Sequence, residues 1–204
     1  MRYLLIFILV SFEASGQNLR NSKLLDLGFD SSVLVKLKKA KIQNEKDNPF
    51  TESFWFLSNK KDLIENIDSS NFQNFLDTIS SYSGAICACV LKKDTIYIRG
   101  GLAYGGGFGY DIKIIKGQFL GNLWISGTER YKLLDSDKYT DELYLKGNYQ
   151  TLKLQSKKQY RVGSNIAGVY IVESEDYFDK NEKGKTRFYL KLLFNCKIGD
   201  EFPF

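Results

Sequence analysis

The chain has 204 residues, a formal net charge of +5, and 43% hydrophobic and 15% aromatic residues. These fractions exclude a disordered chain, and the length suits one domain that buries a core without staples. The mild positive charge leaves no nucleic-acid footprint, since its densest patch, Lys36, Lys38, Lys39 and Lys41, reads as a solvated face.

The chain opens MRYLLIFILVSFEASGQ: one cation, a short apolar run, then small residues at Ala14 and Gly16. That is the pattern of a secretory signal peptide over residues 1–16. The apolar run is about half the ~20 residues a membrane span needs. Cleavage after Gly16 is expected to release a secreted or periplasmic chain with no transmembrane anchor. It removes Arg2 and Glu13 together, so the charge stays at +5. No asparagine begins an Asn-X-Ser/Thr sequon, in keeping with a bacterial source.

Residues 17–83 are expected to form a helical N-terminal segment with one short strand. Asp30-Ser31-Ser32 is placed to cap a helix carrying Val33, Leu34, Leu37 and Ala40, although Val33-Val35-Leu37 also alternates as a strand would. Asn48-Pro49 breaks that segment, and the aromatic run ESFWFL (52–57) reads as a strand. A short helix is expected over 60–67. A second opens with Ser70-Asn71-Phe72-Gln73, a capping box, and carries Phe72, Phe75, Leu76 and Ile79 on one stripe.

From Gly84 the hydrophobic period changes to two. Strands are predicted over 85–91, 95–99, 110–116, 118–126, 142–146, 149–155, 167–174 and 186–198. Lys92-Lys93-Asp94 and Lys116-Gly117 read as turns, and Gly147-Asn148 as a two-residue hairpin turn. In the last strand Phe188, Leu190, Leu192, Phe194, Cys196 and Ile198 share an apolar face. Arg187, Tyr189, Lys191, Leu193, Asn195 and Lys197 are expected mostly to meet water. The fold class is therefore mainly β (α+β): an antiparallel β-sandwich or β-barrel over 84–204, preceded by two or three short N-terminal helices. Leu152-x-Leu154, Tyr160-x-x-Gly163 and Ile166-x-Gly168, leading into a strand that ends ESEDYF, resemble β-sandwich modules of exported bacterial proteins over the last quarter of the chain. The likeness implies no activity and no residue role.

Residues 100–111 read GGLAYGGGFGYD, with six glycines in the first ten positions. No Gly-Lys-Ser/Thr follows, the G-x-G-x-x-G spacing is missing, and the next element is a strand, not a helix. The stretch is thus no phosphate cradle. It reads first as a flexible connection between two strands. As a binding loop it would present the rings of Tyr104, Phe108 and Tyr110, with Arg99 just before it to meet an anionic group.

There is no histidine. This excludes Ser-His-Asp and Cys-His nucleophile systems and histidine-ligated zinc. Of the three cysteines, Cys87 and Cys89 share one face of a strand. Either can bridge Cys196, with Cys89–Cys196 favoured over Cys87–Cys196, and three reduced core cysteines are the alternative. Two thiolates and a third far along the chain fall short of a closed zinc site, so no metal and no cofactor is expected. Acids cluster at Asp135-Ser136-Asp137 and at Glu173-Ser174-Glu175-Asp176. Solvated strand ends account for both, though a glycan hydrolase needs only two acids at a suitable separation. The expected function is a non-enzymatic, exported binding or interaction protein for an unknown protein or small ligand. The alternatives are a carboxylate-dependent glycan hydrolase and a calycin-like carrier of a small apolar ligand.

Overall fold

The computed structural model of the protein describes residues 23–43, 52–58, 83–103 and 107–202. The expected signal peptide, the helices expected at 60–67 and from Ser70, and Tyr104 lie outside the described residues.

The chain is mainly β. Its strands are β1 (Leu25–Asp26), β2 (Gly28–Phe29), β3 (Glu52–Ser58), β4 (Ser83–Lys92), β5 (Thr95–Ala103), β6 (Gly107–Ile115) and β7 (Gln118–Leu133). They continue with β8 (Thr140–Leu154), β9 (Asn165–Ser174), β10 (Tyr177–Asp179), β11 (Lys185–Thr186) and β12 (Tyr189–Gly199), and one helix, α1 (Val33–Gln43), is described. From β4 to β9 each strand pairs with the next in sequence, β9 pairs with β12, and β12 returns to β4. The sheet therefore closes on itself as a ring of seven strands. Short turns make this possible: Lys116 and Gly117 both take positive φ (48° and 82°), as a tight primed hairpin turn requires.

The described strands that precede β4 belong to the same sheet. Strand β3 is inserted between β12 and β4, while β1 and β2 pair with β7 and β8. Past Glu52, the first residue of β3, β12 meets β4 directly and in parallel, with Ile198 opposite Cys89 and Gly199 opposite Val90. Two residue pairs thus make the parallel seam that completes the ring, in a pairing slightly weaker per residue than an antiparallel one.

Gly147-Asn148 is not the hairpin turn its composition suggests. β8 runs straight through it, pairing with β7 on one side and with β9 on the other. Asn148 is the extra residue of a bulge: Gly147 faces Ser174 and Tyr149 faces Glu173. Before it the buried residues are odd-numbered, Leu143 and Leu145; after it they are even-numbered, Leu152 and Leu154. One inserted residue flips the parity and bends the strand around the barrel, which a β-bulge does and a turn would not.

The last strand also departs from expectation. It breaks at Arg187-Phe188 into β11 and β12, and the longest strands are instead β7 and β8. Its outer face is dry up to Leu193 and opens to water only at Lys197. Tyr189, Lys191 and Leu193 are buried there, as are Ala167, Val169 and Ile171 on β9. β12 is paired on both sides and α1 packs against β12 and β9, so this part of the sheet is covered twice. Alternation alone gives no notice of such a cover.

α1 buries Val33 and Leu37. Its start is tied by Asp30, whose Oδ1 accepts from the Ser32 amide (2.8 Å) and hydroxyl (2.6 Å) and whose Oδ2 pairs with Lys36 Nζ (2.8 Å). Lys36 and Ser32 hold the Asp30 carboxyl well below the usual carboxylate range, against a smaller opposing effect of burial. A carboxyl with a depressed folded pKa stabilises fully above its unfolded pKa of about 4 and loses that contribution as pH falls through the lower folded value. Asp30→Asn, which keeps an acceptor for Ser32 but removes the charge facing Lys36, is expected to lower stability by about 0.5 kcal/mol at pH 7. The gap to the wild type should close on acidification, as read from urea midpoints across pH.

Candidate functional site

The inner face of the ring is packed with rings and branched chains. Tyr110, Phe119, Tyr170 and Phe194 are fully buried there, with Phe119 and Tyr170 edge to face at 6.3 Å. Glycines make the room: a Cβ on Gly121 would run into the Tyr170 hydroxyl, and one on Gly168 would sit 2.6 Å from Phe194 Cζ. The Tyr170 hydroxyl donates to Gln150 Oε1 at 2.8 Å, so the polar end of the buried ring is satisfied. Seven strands make a small ring, and the buried inward side chains of the described residues fill it from all of them.

The glycine stretch divides between β5 and β6. Phe108 and Tyr110 point inward, 6% and 1% exposed, and belong to the core. The expectation that these two rings face a ligand is corrected. They fall on the inward parity of β6 with Ile112 and Ile114, and burying an aromatic ring in the core outweighs displaying it. Arg99 is outward, its side chain half exposed, and its Nε pairs with Asp111 Oδ1 at 2.5 Å across the β5–β6 ladder. Its guanidinium also lies over the Phe202 ring, 4.8 Å from the centroid. Of the residues expected to bind, Arg99 alone is on an open surface among the described residues.

That outer surface carries aromatics which were not singled out in the sequence. One cross-strand row runs Gly101, Gly109, Trp124, Tyr144 over β5, β6, β7 and β8. A Cβ on Gly109 would fall within the Trp124 indole, so the indole occupies the place of a side chain and covers the glycine. Tyr144, directly opposite Trp124, is 49% exposed. Burial, then the neighbouring Glu142 and Asp111, push its phenol up to about 12, with Arg99 acting against them. It is therefore a neutral hydroxyl throughout the physiological range. The adjacent row is polar: Arg99, Asp111, Asn122, Lys146. The signal was legible, because Trp124 and Tyr144 hold the outward parity of strands whose inward positions are Leu123, Ile125, Leu143 and Leu145.

The acidic clusters have structural partners. Arg187 binds both Glu173 (2.6 Å) and Asp176, and Glu175 accepts from the Lys146 amide at 2.8 Å. Asp135 and Asp137 are exposed in the loop between β7 and β8. Asp179 is buried but gripped by both the Nε and Nη2 of Arg130, each at 2.7 Å, and by the Asn181 amide.

The cysteines come together on the inner face by the seam. Cys89 is bridged to Cys196, with Cα atoms 6.0 Å apart and a sequence separation of 107. Cys87 is free and buried, and its sulfur lies within 4.8 Å of the other two. Burial pushes its thiol up to about 12, with a Tyr110 hydrogen bond acting weakly against that. The third cysteine, distant along the chain, is a neighbour in space. No family model, no curated protein and no solved structure matches this chain.

Proposed function

We propose that the protein is an exported, non-enzymatic binding protein that takes a saccharide on the outer face of β5–β8, resting on Trp124 and Tyr144. The observation that carries this reading is the Gly101–Gly109–Trp124–Tyr144 row. Glycine neighbours leave the indole unobstructed by side chains on that side of its row, and an exposed ring continues the surface. Such faces take the C–H face of a pyranose. Arg99, Asp111 and Glu142 stand close by to exchange hydrogen bonds with hydroxyls. Export rests on residues 1–16 and agrees with a bridged pair of cysteines, which an oxidising compartment preserves. The packed bore weighs against a carrier of apolar ligands. The engagement of Glu173, Glu175 and Asp176 with Arg187 and Lys146 weighs against a hydrolytic acid pair in that cluster.

The test is a glycan array followed by titration calorimetry on the chain beginning at Gln17. Trp124→Ala and Tyr144→Ala are each expected to weaken binding about tenfold or more, with unchanged circular dichroism. An array without a hit, or a folded Trp124→Ala variant that binds like the wild type, would overturn the reading.

A further inference from the structure

We propose that the reduced form of the protein has a three-thiol site, Cys87, Cys89 and Cys196, for a trivalent metalloid of the arsenic group. The three sulfurs lie within 4.8 Å of one another and all three residues are buried. They come from two strands that meet at the parallel seam, so the backbone ladder holds the trio in place. Thiolate sulfurs are soft ligands, and no histidine exists in the chain to complete a borderline-metal site.

Charge selects among soft ions. Cys89 is paired with Ile98 and Ile198, Cys87 is hydrogen-bonded to Tyr110, and the core cluster that holds all three cysteines contains no cation. Three thiolates around a monovalent ion would leave two negative charges in this setting, and around a divalent ion one. Either would be a heavy desolvation cost. Around a trivalent ion the complex is neutral. Three ligands also satisfy a pyramidal ion with a lone pair, whereas structural zinc asks for four.

The chemistry balances without a change in the oxidation state of arsenic. Arsenous acid, As(OH)3, condenses with three Cys–SH groups. Three As–S bonds form, three As–O bonds break, and each hydroxyl leaves as water with a thiol proton. The bridge must first be opened by an external reductant. A phosphine takes one oxygen atom from water and becomes the phosphine oxide, and the two protons and two electrons convert the Cys89–Cys196 disulfide to two thiols. Bridge and metalloid therefore exclude each other, and the oxidised protein, with one thiol, has no such site.

The experiment uses the whole chain from Gln17, reduced with a phosphine and titrated with arsenite. The expected result is one arsenic per chain by mass spectrometry with three protons lost, together with a raised urea midpoint, because binding favours the folded state. A reduced chain that unfolds without arsenite and folds with it supports the site equally. Cys87→Ser, Cys89→Ser and Cys196→Ser should each remain unoccupied at an arsenite concentration that saturates the wild type. The proposal is overturned by loss of only two protons, by Cys87→Ser binding as well as the wild type, by an unmoved midpoint, or by no binding to the reduced chain.

Discussion

Cys196→Ser is expected to destabilise the protein by about 4 kcal/mol under non-reducing conditions, the largest effect of any single side chain in the seam. The bridge it removes closes a loop of 107 residues, and a cross-link across ~100 residues removes about 4–5 kcal/mol of unfolded-chain entropy. The native state loses as well. The ring is completed by the parallel pairing of Ile198 with Cys89 and Gly199 with Val90, and the bridge clips those strands together. Cys89→Ser should cost less than Cys196→Ser. The Cys87 sulfur is within 4.8 Å of Cys196 and can take over the bridge, while loss of Cys196 leaves two cysteines two residues apart on one strand. Urea denaturation of the three single serine variants reads this order directly. Equal stability of Cys196→Ser and the wild type would mean that the backbone ladder alone holds the ring closed.

Gly101→Ala is expected to cost about 3 kcal/mol or more and to loosen the β5–β6 hairpin. Gly101 has φ of 146°, where a side chain is strained in any surroundings, and an added Cβ would strike the Phe108 carbonyl oxygen and lie 2.6 Å from Gly109 Cα. Both obstacles are backbone, so no rotamer change relieves them. The control is Gly117→Ala. That glycine also has positive φ, 82°, but nothing stands within 4 Å of its would-be Cβ. Its cost should be only the conformational one, about 1 kcal/mol. Chemical denaturation of the pair isolates the steric contribution, and equal losses would show that the close approach of β5 and β6 is not what demands glycine at 101.

Glycine in this stretch thus serves two purposes. Gly101 permits the close approach of two backbones, and Gly109 gives up its side-chain space to Trp124. Composition alone suggested a supple loop, and the described glycines 100, 101, 107 and 109 are instead in paired strands.

The strands from Gly84 onward were legible because burial on one face writes a period of two into any half-buried strand. Ile96, Ile98, Phe108, Tyr110, Ile112 and Ile114 all follow it. The same rule marked Trp124 and Tyr144 as outward aromatics, so the surface they form was present in the residues before it was present in space. Phe108 and Tyr110 were legible too, as members of an inward series, but their glycine neighbours drew attention to the loop instead.

What the residues could not state was who pairs with whom. A bulge and a turn share the dipeptide Gly147-Asn148, and only the partners β7 and β9 on either side of β8 distinguish them. The wet or dry character of Tyr189, Lys191 and Leu193 depended on α1 lying over β12 and β9. The sulfur trio depended on a seam between residues more than a hundred positions apart. Local order is set by each residue's neighbours along the chain, and the sequence by itself determined the β period, the inward and outward faces and the absence of imidazole chemistry. Ring closure, the covered outer face and the meeting of three cysteines are long-range contacts chosen by packing the whole sheet, and only the tertiary structure decided them.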